Sequence, residues 1–116
     1  MEDEPRRTPG KTTIAPGVLL TIARLATLGE EGVSRLSPMP GGVNRLFKRN
    51  QADGVQIEIN DGTVNVDLYV VLEPGTNVRE ISINIQNAVS RAISEMVGMQ
   101  VGKINIHVED IDFNSV

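Results

Sequence analysis

The stretch Gly54–Gly98, GVQIEINDGTVNVDLYVVLEPGTNVREISINIQNAVSRAISEMVG, constrains the fold more than any other part of the chain. Val55, Ile57 and Ile59 alternate with Gln56, Glu58 and Asn60, the two-residue period of a strand with one buried face. Asp61-Gly62 is a two-residue hairpin signal, because a type I′ turn needs positive φ at both central positions. The return strand puts Val64, Val66, Leu68, Val70 and Leu72 on one face; its other face begins with Asn65 and Asp67 and ends with Tyr69 and Val71. Pro74-Gly75 ends the strand, and Asn77 is placed to cap a helix, with Glu80 three residues on as its reciprocal partner. Val78, Ile81, Ile85, Ala88, Val89, Ala92, Ile93 and Met96 then form a stripe at helical spacing that Gly98 closes, with Ile83 on the far side.

The flanks complete the outline. Residues 1–10, MEDEPRRTPG, mix charges and prolines with nothing to pack and are expected to be a disordered tail. Residues 11–110 form a single α+β domain, and 111–116 a C-terminal tail with Ile111 and Phe113 tucked against the sheet. Pro16 suits the first turn of a helix running to Leu28, which Gly29 stops. Its inward stripe is expected to be Val18, Leu19, Ile22, Leu25, Ala26 and Leu28, with Thr21, Arg24 and Thr27 facing water. Gly32–Ser37 reads as a short edge strand, and the Pro- and Gly-rich Ser37–Gly42 as a loop. A helical turn is expected at Val43–Phe47. Val101–Asp110 is the last strand, with Ile104, Ile106 and Val108 on one face and Lys103, Asn105, His107 and Glu109 on the other. The expected architecture is a two-layer sandwich: one mainly antiparallel sheet of three to four strands, the last beside the hairpin, with two helices packed on one face.

Composition narrows the function classes. A chain of 116 residues suits one domain, and with one Tyr, two Phe and no Trp its core must be aliphatic. A formal net charge of -4 gives a long-range field of the wrong sign for a general nucleic-acid or anionic-membrane binder. The absence of cysteine excludes disulfides, thiolate nucleophiles and Cys-based metal sites. No apolar run resembles a signal peptide or a membrane span, so direct membrane insertion is not expected. The chain reads as cytoplasmic, reaching the inner face of the cell membrane only through a partner.

Candidate chemistry is sparse. His107, the one histidine, shares its strand face with Asn105 and Glu109, and two such ligands make a poor metal site. Glu109, Asp110 and Asp112 lack the Gly-centred loop of a calcium site and read as a solvated strand end. Gly41-Gly42 has neither a preceding strand nor the Lys-Ser/Thr of a phosphate loop. Gly29-Glu30-Glu31-Gly32 fits the GxxG pattern of KH domains, but its two central residues are acidic where phosphate must approach. Arg45, Lys48 and Arg49 form a small basic cluster suited to an acidic partner. Tyr69 and Val71 need a cover, either the Val43–Phe47 segment or another copy of the chain. The candidate interaction surface is therefore Tyr69, Val71, Arg45, Lys48 and Arg49. No catalytic, cofactor-binding or metal residue is assigned.

The runs Val64-Asn65-Val66-Asp67-Leu68-Tyr69-Val70-Val71-Leu72-Glu73, Gly75-Thr76-Asn77-Val78, Asn84-Ile85-Gln86-Asn87-Ala88-Val89 and Ile104-Asn105-Ile106-His107-Val108 resemble the alkaline shock protein (Asp/Gls) family of bacterial envelope stress response proteins. The Gly10–Ala26 region and Glu31-Gly32-Val33 are similar too, so the resemblance spans about residues 10–110. Pro16-Gly17 departs from the acidic helix start more usual in the family, and the Ser37–Gly42 loop is unusually Pro-rich. The resemblance implies a non-enzymatic protein without cofactors. It would self-associate as a homo-oligomer and be brought to the membrane by an integral membrane anchoring protein. The alternative is a KH-like single-stranded nucleic-acid-binding module using the Gly29–Gly32 turn and Arg45, Lys48 and Arg49.

Overall fold

The structure, a computed structural model, describes residues 14–38, 51–52 and 54–115. The helix α1 (Pro16–Leu28) is followed by the strands β1 (Val33–Leu36), β2 (Gln51–Ala52), β3 (Val55–Asn60) and β4 (Thr63–Leu72). Then come the helix α2 (Val78–Val97), the strand β5 (Gln100–Ile111) and a 3-10 turn at Phe113–Ser115. The Val43–Phe47 turn, the Ser37–Gly42 loop beyond Pro38 and the tail at 1–10 lie outside the described residues.

The hairpin forms as its chemistry requires. Asp61 and Gly62 both take positive φ, 51° and 79°, and Asn60 pairs with Thr63 across them. That is the type I′ geometry, whose twist matches the strands it joins. β4 is the central strand. One of its edges is shared end to end by two antiparallel partners, β3 along Thr63–Leu68 and β1 along Val70–Leu72. Gly54 sits where one partner gives way to the other. Its carbonyl accepts from the Tyr69 amide at 2.9 Å, and the Tyr69 carbonyl accepts from the Ser37 amide at 2.8 Å. A Cβ on Gly54, whose φ is +80°, would lie 2.6 Å from Leu36 Cβ and 3.0 Å from the Ser37 carbonyl, so only glycine fits. β2 extends the hairpin on the outer side of β3.

The other edge of β4 carries β5, and this pair is parallel, with register shifts between Val64 and Val66 and between Val70 and Val71. A parallel pair needs a long crossover, and α2 supplies it. The sheet is thus antiparallel except for this pair, and the last strand lies beside the hairpin as expected.

Val64, Val66, Leu68, Val70 and Leu72 are all fully buried on the face that both helices cover. α2 contributes Ile81, Ile85, Val89 and Ile93 to the same core. Its first turn is capped as expected, the Asn77 carboxamide accepting from the Glu80 amide at 3.0 Å, and Gly98 ends it in the left-handed region. Val78 and Met96, expected on the inward stripe, are exposed; they stand in the first and last turns of the helix.

α1 is rotated from its expected orientation. Leu19, Leu20, Ile22, Ala23 and Thr27 are buried, whereas Val18, Leu25 and Leu28 face outward, Leu25 at 59% exposure. The helix is apolar nearly all round, so two stripes compete, and packing against α2 and β3 selects between them. Thr27 can turn inward because its hydroxyl donates to the Ala23 carbonyl at 2.8 Å. At the other terminus Ile111 packs against the core, but Phe113 is exposed rather than tucked against the sheet.

Candidate interaction surface

The face of the sheet away from the helices is built by the polar positions of β4 and β5. The parallel register sets Asp67 beside Asn105, and Tyr69 beside His107. One carboxylate oxygen, Asp67 Oδ1, accepts from Asn105 Nδ2 at 3.1 Å and lies 3.0 Å from His107 Nε2. The Tyr69 and His107 rings stack, with centroids 4.4 Å apart and planes 11° from parallel. Asn65 Oδ1 accepts from the Lys103 amide at 2.8 Å, which satisfies the backbone where the β4–β5 register slips. Burial first, then the carboxylates of Asp67 and Glu109, push the Tyr69 phenol above its ordinary value of 10.0. The phenol therefore stays neutral and is available as a hydrogen-bond donor.

His107 does meet a carboxylate, but from the neighbouring strand. Asp67 is forty residues away in sequence, and only the parallel register of β4 and β5 brings it to the imidazole. Strand-internal spacing points to Glu109 instead, so sequence reasoning missed this partner. The face of the His107 ring is occupied by Tyr69. Among the described residues no group of three His, Asp or Glu side chains is arranged to hold a metal.

Tyr69 is half-buried, and Val71, its companion in the sequence reading, is 2% exposed. Val71 therefore lies within the fold, opposite Arg35 on one side and Asp110 on the other. Arg45, Lys48 and Arg49 lie outside the described residues.

The acids at the end of β5 do separate tasks. Asp110 Oδ1 accepts from the Ile111 amide at 2.8 Å. Asp112 Oδ2 accepts from Ser34 Oγ at 2.6 Å and Arg35 Nη1 at 3.0 Å, tying the C-terminal end of β5 to β1. The GxxG stretch is a helix stop followed by a turn: the Gly29 amide donates to the Leu25 carbonyl, and the Val33 amide to the Glu30 carbonyl. Glu31 then joins Glu73 and Glu80 around an open cleft at the start of α2. That ring of carboxylates would repel a phosphate backbone, and the nucleic-acid alternative gains no support.

Among the described residues, no helix is long and apolar enough to cross a membrane. No solved structure is similar to the chain at a significant level. Three curated relatives are similar along most of it, all carrying the description uncharacterised. Spy1535 of Streptococcus pyogenes serotype M6 is 37% identical over 105 residues, 88% of this chain and 79% of its own. YqhY of Bacillus subtilis (strain 168) is 29% identical over 108 residues, covering 91% and 80%. YloU of the same organism is 25% identical over 115 residues, covering 96% of both chains. Residues 4–113 match the alkaline shock protein 23 family, described by its cell envelope-related function. The resemblance carried by the hairpin, α2 and β5 is therefore borne out, and the chain belongs to the alkaline shock protein family, with its cell envelope-related function.

Proposed function

We propose that the chain is a non-catalytic interaction protein of the envelope stress response, which self-associates and is held at the inner face of the membrane by an integral protein. The observation that carries this reading is the sheet face at Tyr69, in a chain whose family is related to the cell envelope. A neutral phenol stacked on an imidazole and ringed by Asp67, Asn105 and Glu109 offers apolar area and hydrogen bonds together. Such a mixture suits recognition of another protein, because aromatic side chains anchor interfaces while the polar rim sets their register. The outward Val18, Leu25 and Leu28 of α1 add apolar surface on another side of the molecule.

Fractionation of cells producing the tagged chain tests the reading. The chain is expected in the membrane fraction, to be released by alkaline wash, and to bring an integral membrane protein with it. Tyr69→Glu is expected to move the chain into the soluble fraction with its circular dichroism unchanged. Recovery of the wild type wholly in the soluble fraction, without a bound membrane protein, would contradict the anchoring part of the proposal. Sedimentation over a range of concentrations tests the self-association part separately.

A further inference from the structure

The sheet has one long edge with no partner strand among the described residues: the outer side of β5, which pairs only with β4. We propose that this edge is a homodimer interface, where a second copy of the chain adds its own β5 antiparallel about a two-fold axis at Ile106. The proposal rests on the self-association in the reading above and assigns it a surface.

The backbone of β5 faces outward at the required positions. Both the amide and the carbonyl of Tyr69 bond toward Gly54 and Ser37, on the edge of β4 away from β5. Successive residues of a strand alternate, so Leu68 and Val70 point theirs toward β5. Consistently, the Leu72 carbonyl accepts from the Asp112 amide at 2.7 Å. In a parallel ladder a residue bonds to the two neighbours of its register partner. The partner of Leu68 is Ile106, so Leu68 bonds to Asn105 and His107, and Ile106 turns its own N–H and C=O outward. Ile104 and Val108, the partners of Val66 and Val70, do the same. The outward carbonyl of Ile104 is indeed reached by Gln86 Nε2 of α2, at 2.9 Å.

The sequence along this edge is self-complementary. Val101, Ile104, Ile106, Val108 and Ile111 are spaced symmetrically about Ile106, because the two register slips of β5 fall on either side of it. All five are buried or pack against the core. A two-fold axis at Ile106 sets Ile106 opposite Ile106 of the second copy, and Ile104 opposite Val108. These are the residues with outward backbone groups, so the Ile106 pair can exchange two N–H···O bonds, while at the Ile104–Val108 pair the second copy's Val108 amide shares the Ile104 carbonyl with Gln86 Nε2 or displaces it. On the polar face the same axis sets Asn105 opposite His107, and Lys103 opposite Glu109, each pair occurring twice. Lys103 and Glu109 are exposed in the single chain. Moving the axis to Asn105 would oppose Val101 to Glu109; moving it to His107 would oppose Lys103 to Ile111. Only the Ile106 register matches apolar with apolar and cation with anion. Charges on an edge strand ordinarily ward off pairing. Here their signs favour one partner, another copy in one register.

Sedimentation equilibrium of the full chain, with single and paired charge reversals, tests the proposal. The wild type is expected to be a dimer that dissociates on dilution. Lys103→Glu and Glu109→Lys each place like charges opposite one another twice, and each should weaken dimerisation about tenfold or more. The double variant Lys103→Glu/Glu109→Lys should restore it. Ile106→Pro removes an outward N–H that the β4 ladder does not use, so it should give a folded monomer. If that variant fails to fold, the exposed charge reversals still decide. In hydrogen exchange, the Ile106 and Val108 amides should gain protection with concentration, while those of Asn105 and His107 are protected throughout. A wild type that stays monomeric at high concentration would overturn both this interface and the self-association reading. An oligomer indifferent to the charge reversals would overturn this interface alone. So would an Ile106 amide protected in the monomer, since another segment of the chain would then occupy the edge.

Discussion

At the C-terminal end of β5 the Asp112 carboxylate shows what one side chain adds to the fold. The Ser34 hydroxyl, and then the Arg35 guanidinium, hold its carboxyl below the ordinary value of 3.8 against the opposing effect of desolvation. The folded-state value is depressed, so the ionised group stabilises the fold at pH values above the ordinary carboxylate range. That contribution is lost as pH falls through the lower folded-state value. Asp112→Asn is therefore expected to lower the urea midpoint at neutral pH, with the difference from wild type closing as the solution is acidified below the ordinary carboxylate range. A midpoint difference independent of pH would show that charge at Asp112 is not the cause. Ser34 and Asp112 are 78 residues apart. No local pattern relates them, and Asp112 reads from sequence as one acid in a solvated strand end.

Among the elements, the hairpin and α2 were legible but for outlying residues such as Ile59, Val78 and Met96, which are exposed, and α1 only in part. The hairpin carries local instructions: alternation on both strands, and a turn whose residues tolerate positive φ. α2 carries one clean apolar stripe between a capping Asn77 and a closing Gly98. α1 has the expected ends, Pro16 and Leu28, and buries Leu19 and Ile22 as expected, but Val18, Leu25 and Leu28 face outward while Leu20, Ala23 and Thr27 turn inward. Its apolar residues surround the axis, and periodicity cannot choose between adjacent stripes when both are apolar. This difference has a measurable consequence. Leu25→Lys, at an exposed position, should change stability by no more than about 0.5 kcal/mol. Leu19→Ala, at a fully buried one, should cost about 2–5 kcal/mol. Equal losses from the two, measured by denaturant unfolding, would place Leu25 in the core after all.

Across the whole molecule, β4 is the strand on which everything else depends. It pairs with β1 and β3 on one edge and β5 on the other, and its inward side chains touch both helices' core. Its amides from Val64 to Leu72 should therefore exchange only through global unfolding, while the outward amides of β5 exchange faster in the monomer. Exchange of β4 by local opening, at free energies well below the global value, would contradict its central place.

The candidate surface follows the same division between local and long-range information. Tyr69 stood out in the sequence because an aromatic side chain on the second face of a strand needs a cover. Its ring partner His107 and the carboxylate of Asp67 beside that imidazole became visible only when β5 aligned parallel to β4. By itself the sequence determined the two helices, the hairpin and the last strand, the aliphatic core and the family, because periodicity, caps and turn residues act within a few positions. The tertiary structure decided which face of α1 is buried, that the last strand runs parallel to the hairpin's return strand, and that Val71 is buried while the outer edge of β5 has no partner strand among the described residues. Those outcomes depend on contacts between residues distant in sequence, and no local pattern records the competition that selects them.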